Sequence, residues 1–114
     1  MSLILYGLKA CDTCKTALKA LDAAGKSPTF VDIRAEADLA AKVPEWLAAT
    51  DAATLINTRS TTWRGLSDTD KAKTETDPAA LLIANPTLIK RPVIEAGGNV
   101  SVGWSKKVQG ELAP

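Results

Sequence analysis

Two residues of this chain have side chains suited to covalent redox chemistry, Cys11 and Cys14, spaced as Cys11-Asp12-Thr13-Cys14. There is no histidine, which excludes histidine acid–base catalysis and histidine metal ligation. Two thiols alone do not close a four-ligand zinc site without carboxylates. Residues three apart on a helix share a face, with Cβ atoms about 5–6 Å apart, and modest adjustment brings such a pair to disulfide geometry. A Cys-x-x-Cys pair in an intracellular chain points to thiol–disulfide exchange rather than to a structural staple. The first cysteine stands before or at a helix N-terminus, where its thiolate accepts free backbone N–H groups and gains from the positive end of the helix. Free cysteine has a pKa near about 8.5, and sites of this kind fall to about 3.5–7.5. Lys9 and Lys15 add positive potential and Asp12 opposes it. Cys14, one turn in, is expected to be more buried and harder to ionise. Cys11 is therefore read as the nucleophile and Cys14 as the resolving thiol. The alternatives are two unreactive core thiols or half of a shared metal site.

Two further groups are candidates for substrate binding. Asn57-Thr58-Arg59-Ser60-Thr61-Thr62-Trp63-Arg64 gathers an amide, hydroxyls and two guanidinium groups, which suit an oxyanion or a carboxylate such as glutathione's; a solvated connection whose Asn and Thr residues cap helices is the alternative. Lys90-Arg91-Pro92 is the other. A cationic Arg91 facing Cys11 would stabilise its thiolate, whereas the bland reading is an exposed basic pair ahead of an edge strand. Trp46 lies on an apolar helical face and is expected in the core; Trp63 and Trp104 either line a groove or pack.

These residues need elements to position them. Leu3-Ile4-Leu5-Tyr6, ended by Gly7, reads as a buried strand. A helix starts near Asp12 as its N-cap, carries Cys14, Ala17, Leu18 and Leu21 on one face, and ends at Gly25. Residues 28–33 read as a second strand. Leu39, Val43, Trp46 and Leu47 repeat with helical period; Pro44 either opens a fresh helix or kinks a longer one. Short helices are expected over 51–56, 67–73 and 78–84, the last opened by Asp77-Pro78 and stopped by Asn85-Pro86. Residues 93–95 and 100–102 flank Gly97-Gly98-Asn99 as a hairpin, and a short helix follows from Ser105. An early strand–helix–strand unit favours parallel pairing with a right-handed crossover, and a closing hairpin favours antiparallel pairing. The simplest assembly is an α/β fold, a mixed four-stranded sheet with helices on its faces.

With 114 residues and 46% hydrophobic content, the chain fits one domain, residues 1–114. Its net charge of +1 gives no push toward nucleic acid or an anionic membrane. No apolar run approaches the roughly 18 residues of a membrane span, and Met1-Ser2-Leu3-Ile4-Leu5 lacks a basic leader. A cytoplasmic protein is expected, and a monomer.

Leu5-Tyr6-Gly7, Cys11-Asp12-Thr13-Cys14-Lys15, the Asn57 to Arg64 segment, Asn85-Pro86-Thr87-Leu88-Ile89-Lys90-Arg91-Pro92 and Val102-Gly103 resemble, in that order along nearly the whole chain, the arsenate reductase-related (ArsC/Spx-like) family, and within it most nearly the YffB-like branch. The resemblance implies a thioredoxin-like core with a helical insertion over about 35–80, Cys11 as nucleophile and Pro92 as a cis proline. It carries one family arginine onto Arg59 and another onto Arg91. Together with the residue reading it gives a catalytic set of Cys11, Cys14 and Arg91 and a substrate-binding set of Lys9, Asn57, Arg59, Arg64 and Pro92, with no metal. It implies no bound cofactor, glutathione or a glutaredoxin as reductant, and a small thiol or disulfide, or arsenate, as substrate. Arsenate-reducing members carry a third arginine after the hairpin, where this chain reads Val102-Gly103-Trp104-Ser105-Lys106, and they usually lack the second cysteine. Cys14 brings the chain nearer to Spx-type regulators, which use such a pair as a redox switch while binding RNA polymerase.

Overall fold

A computed structural model describes residues 3–113; Met1, Ser2 and Pro114 lie outside the described residues. The chain forms two compact units, residues 1–37 with 91–114 and residues 38–90.

The first unit is built on four strands, β1 (Leu3–Gly7), β2 (Thr29–Asp32), β3 (Val93–Ala96) and β4 (Asn99–Val102), in the order β2-β1-β3-β4. β1 pairs parallel with β2 and antiparallel with β3, and β3 pairs antiparallel with β4. The fold is thioredoxin-like. Side chains alternate across a strand, so Leu3 and Leu5 of β1 stand beside Ala96 and Ile94 of β3 on one face. The helix α1 (Asp12–Ala23) lays Cys14, Ala17 and Leu21 on that face, with Phe30, Trp104 and Leu112 completing the cluster. Leu5, Leu21 and Ile94 are fully buried, each contributing on the order of 1.5–3 kcal/mol. Trp104 is thus a packing residue. The helix α7 (Lys106–Leu112) closes the unit behind its N-cap Ser105.

Two local expectations are corrected. The N-cap of α1 is Cys11, and Asp12 is the first helical residue; its carboxylate still complements the positive helix end from the first turn. Asn99 belongs to β4, so the hairpin loop is only Gly97-Gly98, both with positive φ. That conformation makes the primed two-residue turn whose twist matches the flanking strands.

The second unit is helical: α2 (Leu39–Ala49), α3 (Ala52–Leu55), α4 (Thr61–Arg64), α5 (Asp68–Thr76), α6 (Pro78–Ala84) and a 3-10 turn over Pro86–Leu88. Pro44 lies inside α2, so it does not open a fresh helix. Asp38, Asp51, Ser60, Ser67 and Asp77 each cap the helix that follows with a side-chain oxygen. Trp46 is fully buried, as are Val43, Leu55, Leu82 and Leu88. Ile56 and Ile89 form an antiparallel bridge. Among the described residues no helix is long and apolar enough to cross a membrane.

Candidate active site

β1 ends at Gly7, and the chain turns through Leu8, Lys9 and Ala10 into α1. The Cys11 N–H donates to the Leu8 carbonyl at 3.1 Å, and the Cys11 carbonyl accepts the first helical hydrogen bond from the Lys15 N–H at 3.0 Å. Cys11 is extended, with φ −81° and ψ 118°. It is half-buried, whereas Cys14, one turn in, is fully buried; both are free thiols.

Their surroundings set them apart. Burial opposes ionisation of Cys11, but the Cys14 backbone N–H, the Cys14 thiol and the Arg91 guanidinium outweigh it and hold the thiol below its ordinary pKa. At Cys14 burial prevails, and proximity to Cys11 adds to it; the Leu8 N–H and Arg91 offset only part, and the thiol is pushed up to about 11. One thiol is therefore held toward its thiolate, and the other stays protonated through the neutral range.

Arg91 comes to this pair from the segment before β3, and the Arg91–Pro92 peptide bond is cis. The Pro92 carbonyl accepts from the Gly103 N–H at 2.8 Å, which ties this segment to the end of β4. β3 is an interior strand of the sheet, and Arg91 is half-buried. The reading of an exposed pair ahead of an edge strand therefore fails at both points; only Lys90 is exposed. The cation acting on Cys11 is Arg91, while exposed Lys9 acts on Asp32.

The segment 57–64 forms part of the second unit. Asn57 Oδ1 accepts from the Arg59 N–H at 3.1 Å, Ser60 Oγ donates to the Asn57 carbonyl at 2.7 Å, and the same oxygen accepts from the Trp63 N–H at 3.0 Å. Arg64 Nη2 donates to the Arg59 carbonyl at 3.1 Å. Asn57, Ser60 and Arg64 thus spend hydrogen bonds on shaping the loop into α4, a helix that the polar composition conceals. A cavity of about 440 Å³ is lined by Thr54, Asn57, Thr58, Arg59 and Lys90, among others. Its two cations suit an anionic ligand. Trp63 lies under the Lys71 ammonium at 5.5 Å from the ring centroid.

Leu8 is the participant that sequence reasoning misses. It acts through its backbone N–H, a donor that every residue but proline carries and that leaves no mark on residue type. Among the described residues, no group of three or more Cys, Asp or Glu side chains is placed to hold a metal.

A thioredoxin-like sheet with a Cys-x-x-Cys pair at the junction of its first strand and helix defines a protein of thiol-based redox chemistry. Residues 6–111 match the model of the ArsC family, and the chain belongs to that family. It is 37% identical over 109 residues to an uncharacterized protein of Haemophilus influenzae, covering 90% of this chain and 91% of that one. The solved structure of a protein called YffB is 34% identical, superposes with a TM-score of 0.88, and is matched over 99% of this chain and 100% of its own. An arsenate reductase (ArsC) related protein from Brucella melitensis is 33% identical with a TM-score of 0.77, over 97% of this chain and 92% of its own.

Proposed function

We propose that this chain is a thiol–disulfide oxidoreductase in which Cys11 is the nucleophile and Cys14 the resolving thiol. The observation that supports it best is the opposite setting of two thiols on one helix turn. Cys11 stands at the N-cap of α1 with Arg91 beside it, and Cys14 is buried and protonated. The Cys11 thiolate attacks one sulfur of a substrate disulfide, forming a mixed disulfide and releasing the other sulfur as a thiolate that takes up a proton. Cys14 then loses its proton and attacks the Cys11 sulfur, releasing the second substrate thiol and leaving a Cys11–Cys14 disulfide. Two molecules of glutathione, or a dithiol glutaredoxin, supply the two electrons and two protons that restore the pair. A lowered Cys11 pKa raises the fraction of Cys11 present as the attacking thiolate at neutral pH.

Arg59 and Lys90 give the cavity of the second unit its charge, which suits an anionic group such as a carboxylate. Arsenate is the competing substrate, given the name of the Brucella relative. After β4 this chain offers Lys106 where arsenate-reducing members carry an arginine, and a lysine is a point charge rather than a planar fork. The deciding experiment is turnover by the reduced protein in an assay supplied with glutathione and glutaredoxin. Reduction of a small disulfide, lost in Cys11→Ser, is expected. Arsenate-dependent turnover lost in the same variant would make arsenate the substrate. Absence of turnover with either, together with partner binding that changes on oxidation, would replace the enzyme with a redox-switched regulator.

A further inference from the structure

Gly7 closes β1, yet nothing in its backbone calls for glycine. The glycines with positive φ are Gly25, Gly97, Gly98 and Gly103, and Gly7 is not among them. Glycine within a strand weakens it and marks close approach by another group. Here the approaching group is Cys14. A Cβ built on Gly7 would lie 2.5 Å from Cys14 Sγ and 3.3 Å from Cys14 Cβ, the first of which is far inside van der Waals contact. The next residue, Leu8, turns its N–H onto the Cys14 sulfur. The end of β1 thus meets that sulfur from two consecutive residues, one by the lack of a side chain and one by a hydrogen bond.

We propose that Gly7 is a positioning residue for the redox pair: the space left by its missing side chain seats the Cys14 sulfur where it can hydrogen-bond Cys11. This rests on the roles given above to Cys11 and Cys14. The seat also matters to the thiol that reacts. The Cys14 thiol is one of the groups that hold Cys11 toward its thiolate. A methyl group at position 7 must move the sulfur, because the competing atoms belong to a short side chain on a packed helix turn.

The test is a two-by-two set: wild type, Gly7→Ala, Cys14→Ala and the double variant. The pH profile of Cys11 alkylation by iodoacetamide and the midpoint of urea unfolding are measured for each. Gly7→Ala is expected to shift the Cys11 profile to higher pH and to slow alkylation at neutral pH several-fold. In the Cys14→Ala background, where the sulfur is gone, Gly7→Ala is expected to leave the profile unmoved and to lose most of its effect on the unfolding midpoint. Should Gly7→Ala alone fail to fold, a folded double variant carries the same message. Equal effects of Gly7→Ala in both backgrounds, no effect in either, or a double variant that also fails to fold would overturn the proposal. A wild-type Cys11 that alkylates no faster than free cysteine would instead count against the oxidoreductase reading, while the coupling of unfolding midpoints would still judge the seat.

Discussion

Cys11 and Cys14 are the same residue type three positions apart, and their difference comes wholly from placement. The spacing makes the pair legible in the sequence, because residues three apart fall on one face of a helix. Arg91 is less legible. Its neighbours in sequence are equally consistent with an exposed basic pair, and what decides is a return of the chain about eighty residues after Cys11 that no local pattern encodes. The Arg91 guanidinium is one of the groups lowering the Cys11 pKa, so Arg91→Ala is expected to move Cys11 alkylation to higher pH. The neutral-pH rate would then fall by up to about tenfold, the change that one pKa unit carries. Arg91→Lys should recover part of it, since lysine keeps the charge and loses the fork. An unchanged profile in Arg91→Ala would remove the arginine from the account. Cys14 bears on stability with the opposite sign. Its pKa is pushed up to about 11 on folding, so its contribution is intact below the ordinary thiol range and is lost as pH rises toward 11. Urea midpoints across that window should fall more steeply for the wild type than for Cys14→Ala.

At the scale of elements, α1 carries the site and its two ends are fixed differently. Its N-terminus has no side-chain cap, which leaves backbone donors there for Cys11. Its C-terminus closes with a Schellman pair, the Gly25 N–H to the Asp22 carbonyl and the Lys26 N–H to the Leu21 carbonyl, both at 3.0 Å. Gly25 has φ +77° and open space where a Cβ would stand, so Gly25→Ala probes the backbone alone. It is expected to cost about 1–2 kcal/mol, seen as a lower urea midpoint with the Cys11 alkylation profile unchanged. Gly7→Ala is the contrasting case, in which the strain is steric and lands on the sulfur. Most elements were legible because caps and apolar periodicity agree, as at Asp77-Pro78 before α6. The helix α4 was not: Thr61-Thr62-Trp63-Arg64 shows no apolar face, and it forms because Ser60 and Asn57 organise the turn before it. Pro44 was ambiguous for a different reason. Proline is tolerated at a helix start and disfavoured within, yet α2 runs through it on the burial of Leu39, Val43 and Trp46.

At the scale of the molecule, each unit buries its own apolar residues, the first between sheet and α1 and the second around helices that include α2 and α6. In the second unit Trp46 is the largest fully buried side chain. Trp46→Ala is expected to destabilise the protein by about 3–5 kcal/mol, measured by urea unfolding; a loss below about 1 kcal/mol would show that Trp46 is not a core residue. The sheet was legible as a whole, since a strand–helix–strand start and a glycine-turn hairpin leave few ways to order four strands. The chemistry assigned to Arg59 was the least legible feature. Polar side chains serve caps and ligands alike, and Asn57 and Arg64 turn out to hold the loop.

Mass spectrometry of the intact protein after exposure to glutathione disulfide separates the attacking role of Cys11 from the resolving role of Cys14. Cys14→Ser is expected to accumulate one glutathione on Cys11, and the wild type to pass through that adduct to an internal disulfide. Accumulation on Cys14 in Cys11→Ser, or a Cys14→Ser variant that gains no glutathione, would contradict the assignment.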